Sequence, residues 1–194
     1  MIYYLRSKTV FVVCAKIRFI VEVSFLNALV TGGAGFIGSH CVDGLLRDGH
    51  RVTVLDNLST GRRENLAHLH GRPDLRFHVV DIAGEEELGC YLDGIDWVFH
   101  FAGLADIVPS IRKPLEYHRA NVDGTARVLE ASRAAGVKRF VYAASSSCYG
   151  IPSVFPTPES APIQPQYPYA LTKRLGERSE ERRVGKEFRT RWAP

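Results

Sequence analysis

Between residues 27 and 177, short apolar runs alternate with longer stretches in which apolar residues recur every three or four positions. Glycines and prolines mark the joins. Asn27–Thr31, Arg51–Leu55, Leu75–Val80, Ile95–Phe101 and Arg139–Ala144 read as strands. Phe36–Arg47, Gly84–Leu92 and Leu115–Ala135 read as helices, the last with Val122, Ala126 and Leu129 at helical spacing and Gly136 as its C-terminal cap. Six prolines within 151–168 forbid regular structure and predict a surface loop. A last helix begins near Tyr167–Tyr169 and runs toward Glu177. Strands buried on both faces and separated by helices predict an α/β fold, a doubly wound parallel sheet of the Rossmann type.

The two ends depart from this pattern. Val10 to Val30 is apolar-rich, yet Lys16, Arg18 and Glu22 interrupt it. No run reaches the ~18–20 uncharged residues that a membrane span needs. Arg6 and Lys8 ahead of Val10–Ala15 have the order of a signal peptide, but the apolar run is short and lacks a convincing cleavage site. Residues 1–26 are therefore expected to be an extension upstream of the domain, and a membrane is not an expected partner.

Composition narrows the classes further. With 194 residues, 45% apolar and 24% charged, the chain is neither disordered nor collagen-like and can bury a core without staples. Cys14, Cys41, Cys90 and Cys148 lie far apart, with no metal-ligand or disulfide-framework spacing, so a reducing cytoplasm is the expected compartment. The formal charge is +4, but residues 1–26 and 178–194 each carry +3 and the body carries −2. The body thus offers no basic patch for nucleic acid. His68-Leu-His70 lacks a third ligand, and no metal site is expected.

The candidate chemistry lies at strand ends. Thr31-Gly-Gly-Ala-Gly-Phe-Ile-Gly38 sits between a strand and a helix, the context in which spaced glycines bind a dinucleotide. Gly32 permits the tight turn, Gly35 lets backbone approach a pyrophosphate, and Gly38 lets the helix lie close. The helix N-terminus then offers free N–H groups and a positive dipole end to the phosphates. Asp56, ending the second strand, is placed to accept from both ribose hydroxyls and to repel a 2′-phosphate, which favours NAD over NADP; Arg62 and Arg63 keep the second open. Asp81-Ile82 is placed to border the adenine, although Asp81 could equally cap its own loop.

Tyr169 and Lys173 are four apart, hence on one helix face. A free phenol titrates near ~10. A neighbouring ammonium and an oxidised nicotinamide would both favour the phenolate, fitting Tyr169 to act as a base. Ser145-Ser146-Ser147 ends a strand where substrate would lie, and a hydroxyl there can donate to the oxygen that the tyrosine deprotonates. The serines lack a Gly-x-Ser-x-Gly elbow, so a hydrolase nucleophile is not expected. His100 reads as a satisfied buried imidazole. Asn121 sits mid-helix against its propensity, either hydrogen-bonding within the site or bridging helix to strand.

Together, TGGAGFIGS at 31–39, DNLSTG at 56–61, NVDGT at 121–125, SSSCYG at 145–150 and YALTK at 169–173 resemble the extended short-chain dehydrogenase/reductase superfamily, in its NAD-dependent epimerase/dehydratase branch. The DNLSTG segment is most similar to that of UDP-glucose 4-epimerases and their near relatives. The resemblance spans about Asn27 to Glu177 and implies catalytic Ser145, Tyr169 and Lys173, with Ser146 and Ser147 beside the substrate. It implies NAD contacts from Gly32, Gly35, Phe36, Ile37, Gly38, Asp56, Asn57, Asp81, Ile82, Phe101, Ala102, Asn121, Tyr169 and Lys173. Ala102-Gly103 stands where many members have an alanine pair, and Cys148 where valine is common.

The activity so implied is epimerisation of a nucleotide sugar, a UDP-hexose of the glucose/galactose type, by transient hydride transfer to NAD. The alternatives are a dehydratase or decarboxylase of the same superfamily, or an NAD-binding module without turnover. Against the dehydratase, no acidic residue follows Ser145. Members of the family often dimerise through helices matching 115–135 and 165–177, so the full-length parent is expected to be a homodimer. Family members continue well past the position of Lys173, whereas residues 178–187 spell RSEERRVGKE, the translation of a sequencing-adapter read. The chain is therefore expected to be C-terminally truncated, with 178–194 a non-family tail.

Overall fold

The computed structural model describes residues 25–183, preceded by strands β1 (Thr9–Cys14) and β2 (Ile17–Glu22), with side chains described from Phe25 to Ser179. β1 and β2 pair antiparallel in a sheet of their own. Arg6 and Lys8, and the tail beyond Arg183, lie outside the described residues. No helix among the described residues is long and apolar enough to cross a membrane.

The main sheet has five parallel strands: β3 (Asn27–Thr31), β4 (Arg51–Asp56), β5 (Leu75–Val79), β6 (Trp97–His100) and β7 (Arg139–Tyr142). Their order is β5-β4-β3-β6-β7, so the chain winds outward in both directions from β3. Around the sheet lie α1 (Phe36–Arg47), α2 (Gly89–Leu92), α3 (Ile107–Arg112), α4 (Pro114–His118), α5 (Gly124–Ala134) and α6 (Pro168–Arg183). Short 3-10 turns occupy Arg63–Leu69 and Ser146–Tyr149.

The alternation of side chains along each strand explains the two layers. Leu29, Leu55, Val98 and Phe140 point to one face and pack with Leu92, Val128 and Leu129. Val30, Val52 and Val54 point to the other and pack with Val42, Leu46, Leu66 and Leu69. Neighbouring strand residues thus serve opposite cores, which is why the strands read as continuous apolar runs.

The structure corrects several expected boundaries. Only Gly89–Leu92 of the expected helix at 84–92 is helical. The carbonyls of Ile82, Gly84 and Glu86 instead accept from the Arg127 guanidinium, which draws them away from a helical ladder. The expected helix at 115–135 is α4 and α5 joined by a π-turn at Arg119–Asp123. Gly136 does follow its end with φ +69°. α6 continues past Glu177 to Arg183. α3 has no counterpart in the sequence reading, because Pro109 in its first turn reads equally well as a loop residue.

Leu129 is 1% exposed in the core under β6 and β7. Leu129→Ala is expected to cost about 2–5 kcal/mol, measured by urea unfolding.

Candidate functional site

The site grows from the turn between β3 and α1. Gly32 has φ +70°, and a Cβ there would stand 2.6 Å from the Ala102 backbone nitrogen, so only glycine lets the turn touch the chain leaving β6. A Cβ on Gly38 would collide with the Gly32 carbonyl oxygen, so glycine also sets how closely α1 meets its own turn. Asp56 fixes the turn from β4. Its Oδ2 accepts from the Ala34 N–H at 2.9 Å and its Oδ1 from the Leu58 N–H at 2.8 Å. The Asn65 side-chain amide donates to the Ala34 carbonyl at 2.7 Å.

Above this turn, at the carboxyl ends of the strands, opens a cleft of about 310 Å³. Gly32, Gly35, Phe36, Ile37 and Gly38 line it from the turn and the first turn of α1, which no side chain caps. Asp56 and Asn57 enter after β4, Asp81 and Ile82 after β5, Phe101 and Ala102 after β6. Leu55, Ser59, Thr60, Val80, Gly103, Leu104, Ala120 and Ala143 complete the wall and were given no role from the sequence; Ser59, Thr60, Val80, Gly103, Leu104 and Ala143 follow strand ends within one to four residues. Asn57 and Asp81 accept from Ser59 N–H and Ala83 N–H, each at 3.0 Å, and so hold their own loops. Each carboxylate oxygen of Asp56 keeps acceptor capacity beyond its backbone bond. Uncapped helix amides, glycines where a Cβ would intrude and a carboxylate beyond them suit a dinucleotide.

Tyr169, Lys173 and Ser145 do not line this cleft. Ser145 caps the 3-10 turn after β7, and Tyr169 and Lys173 lie on α6, whose Ala170 carbonyl accepts from the Cys148 thiol of that turn. Ala143, two residues ahead of Ser145, is part of the cleft wall. The Tyr169 ring meets the Tyr117 ring edge-on at 6.5 Å, and the Tyr117 hydroxyl donates to the Ala105 carbonyl just past Leu104. Ser145 Oγ accepts from the Ser147 N–H at 3.2 Å and donates to Ser147 Oγ at 2.9 Å, capping its turn. Ser146 is exposed. Lys173 is 8% exposed, with Nζ 4.2 Å above the Tyr142 ring. Burial pulls its pKa down to about 8.

Asn121, expected at the cofactor, is 1% exposed and outside the cleft lining. Its Oδ1 accepts from Leu104 N–H at 2.7 Å, and its Nδ2 donates to the Leu104 carbonyl at 2.9 Å and to Thr172 Oγ1 at 3.1 Å. From the turn between α4 and α5 it thus ties the loop after β6 to α6. Among the described residues no cluster of three or more metal-ligating side chains occurs. His68 pairs with Asp43 at 2.8 Å instead.

His100 is wholly buried and lies between Thr31 and Thr125, 2.7 Å from the first and 2.9 Å from the second. Thr125 Oγ1 already donates to the Asn121 carbonyl at 2.7 Å, so His100 Nε2 is the donor to Thr125 and Nδ1 the acceptor from Thr31. Burial, then the nearby Lys173, pushes the His100 pKa down to about 3, so the ring is neutral at physiological pH.

The model of the NAD dependent epimerase/dehydratase family matches residues 28–189. A UDP-glucose 4-epimerase from Mycolicibacterium smegmatis is 42% identical over 154 residues, which cover 78% of this chain and 49% of that protein. A UDP-glucose 4-epimerase from Thermotoga maritima, solved with UDP-glucose, is 37% identical with a TM-score of 0.74 over 82% of this chain and 52% of its own. A UDP-glucose 4-epimerase from Brucella ovis, solved with NAD, is 35% identical with a TM-score of 0.72 over 79% and 46%. The chain spans about half the length of these relatives.

Two outcomes follow for the site. Gly38→Ala is expected to cost about 1–3 kcal/mol through overpacking and to weaken dinucleotide binding, read by urea unfolding and by calorimetric titration. Lys173→Met is expected to stabilise the chain at pH 7. The depressed pKa means that the buried charge penalises the folded state below about pH 8, and that penalty fades as pH rises toward the unfolded value of 10.5. The gain of the variant over the wild type, measured by urea unfolding, should therefore shrink between pH 8 and pH 10.

Proposed function

From the premise that the chain belongs to the NAD dependent epimerase/dehydratase family, we propose that it is the cofactor-binding and catalytic part of a nucleotide-sugar 4-epimerase acting on a UDP-hexose of the glucose/galactose type. One observation carries this reading. A single cleft is walled by the glycine turn, Asp56 and the loops after the strands, and its wall includes Ala143, two residues ahead of Ser145. NAD is the family's cofactor, and when bound it supplies a reversible hydride acceptor.

The chain's own residues divide the remaining work. The glycine turn and the first turn of α1 hold the pyrophosphate, and Asp56 accepts from the adenosine ribose. Tyr169 takes the proton of the sugar hydroxyl. The Lys173 ammonium, one helical turn away, favours the phenolate that must do so. Ser145 donates to the same sugar oxygen, giving up its bond to Ser147. Positioning sugar against cofactor and excluding water are the protein's main contributions. Sequences of the family that extend further bring the part that grips the nucleotide sugar, and the choice of sugar is made there.

The rest of the reading concerns the whole protein. We take 27–177 as the Rossmann domain, 1–26 as an extension and 178–194 as an adapter-derived tail, of which the family match takes in 178–189. The full-length parent is taken to be a homodimer in a reducing cytoplasm, consistent with the free thiols of Cys41, Cys90 and Cys148. A transcript from the source organism that carries 178–194 in frame would remove the tail assignment.

The test is turnover by the gene product continued past Glu177, with UDP-glucose and UDP-galactose as substrates. Interconversion is expected, and Tyr169→Phe should lower kcat about 10²–10⁴-fold while NAD remains bound. Loss of water or carbon dioxide from another nucleotide sugar, with neither of these interconverted, would overturn the epimerase reading.

A further inference from the structure

Lys173 carries its ammonium into the protein without meeting a carboxylate. Among the described residues no Asp or Glu lies within ion-pair distance of it; Glu177, one turn on, pairs instead with Arg174 at 2.9 Å. What Nζ meets is the face of Tyr142, at 4.2 Å from the ring centroid. That ring is itself fixed. It stacks on His100 with centroids 5.8 Å apart and planes 17° apart, and its hydroxyl donates to the Lys173 carbonyl at 3.2 Å. His100 cannot turn, because both ring nitrogens are engaged. A Cβ on Gly176 would stand 2.5 Å from the Tyr142 hydroxyl, so α6 lies directly against this ring.

The geometry points to Tyr142 as a positioning residue: its ring face seats the Lys173 ammonium and fixes it on the Tyr169 side of α6. The role in turnover rests on the reading of Tyr169 and Lys173 given above; the seat itself does not. An aromatic face attracts a cation by its quadrupole, worth about 0.5–2 kcal/mol, without cancelling its charge. A carboxylate in the same place would bind the lysine more tightly and neutralise its field at the phenol. The π seat thus suits a lysine whose charge must act on a neighbour. The titratable groups that meet Nζ are Tyr142 on β7, His100 on β6 and Cys148 on the 3-10 turn, with Arg174 and Glu177 on α6 acting on Cys148 and Tyr169 one turn back on the same helix. His100 is neutral, and burial raises the Cys148 thiol, so neither competes as a charged partner at neutral pH.

The test is NMR of the chain with its six lysines labelled with ¹³C at the ε-carbon, the Lys173 signal being the one missing from Lys173→Met. In the wild type its ε-protons should lie upfield of the other lysines through the ring current of Tyr142; an unshifted signal overturns the seat without any Tyr142 variant. In Tyr142→Leu the upfield shift should vanish and the Lys173 titration midpoint should fall by about 0.4–1.5 pH units, since the charged form loses its partner. Tyr142→Phe, which keeps the ring and removes the hydroxyl, should restore both. A midpoint that stays or rises in Tyr142→Leu, or a Tyr142→Phe that behaves like Tyr142→Leu, overturns the proposal. Turnover is read separately: an intact seat in a protein that does not epimerise refutes the proposed function and leaves the seat standing.

Discussion

The imidazole of His100 is held by two bonds, and those bonds determine where three separate pieces of the site lie. Through Nδ1 it takes the hydroxyl of Thr31, whose oxygen in turn accepts from the Ala102 N–H at 3.3 Å. Through Nε2 it reaches Thr125 and so the Asn121 backbone. Its ring stacks on Tyr142, the residue beneath Lys173. The glycine turn, the loop after β6 and the lysine-bearing helix are thereby tied to one neutral ring that neither rotates nor titrates near physiological pH. A network of this kind is stable only when every member is satisfied, and no buried side-chain nitrogen or oxygen among the described residues lacks a partner.

The winding of the sheet was legible in the chain because its causes are local. Leu29 and Val30 serve opposite cores, and strands of that composition have no exposed face to spare. The glycine turn was legible for the same reason: Gly32 needs its φ and Gly38 its bare backbone, whatever surrounds them. Every expected cofactor contact on the turn and on the first four strand ends does line one cleft.

What escaped the sequence depends on partners distant along the chain. The loop at 84–88 is not helical because Arg127, some forty residues away, takes its carbonyls. Asn121 could be read toward the site or toward the scaffold, and its amide partners, Leu104 and Thr172, lie 17 and 51 residues away, out of reach of any local pattern. The separation of Tyr169, Lys173 and Ser145 from the cleft lining was equally hidden. Motif spacing places residues on one face but does not say how far that face stands from the neighbouring wall.

The widened turn at Arg119–Asp123 carries a consequence for how this region tolerates change in length. A π-turn holds one residue more than an α-turn, so the chain enters α5 in phase with α4 despite the extra residue. Loss of one residue elsewhere in α5 would swing everything after it by about 100° and pull Val128, Leu129 and Ser132 off the sheet. Loss of one residue inside the π-turn would simply let it tighten, with the register of α5 kept. The cost would fall on the bulged backbone that presents Asn121 to Leu104 and Thr172. The turn thus stores one residue of slack between two helices, and the cross-link made by Asn121 is what that slack holds in place.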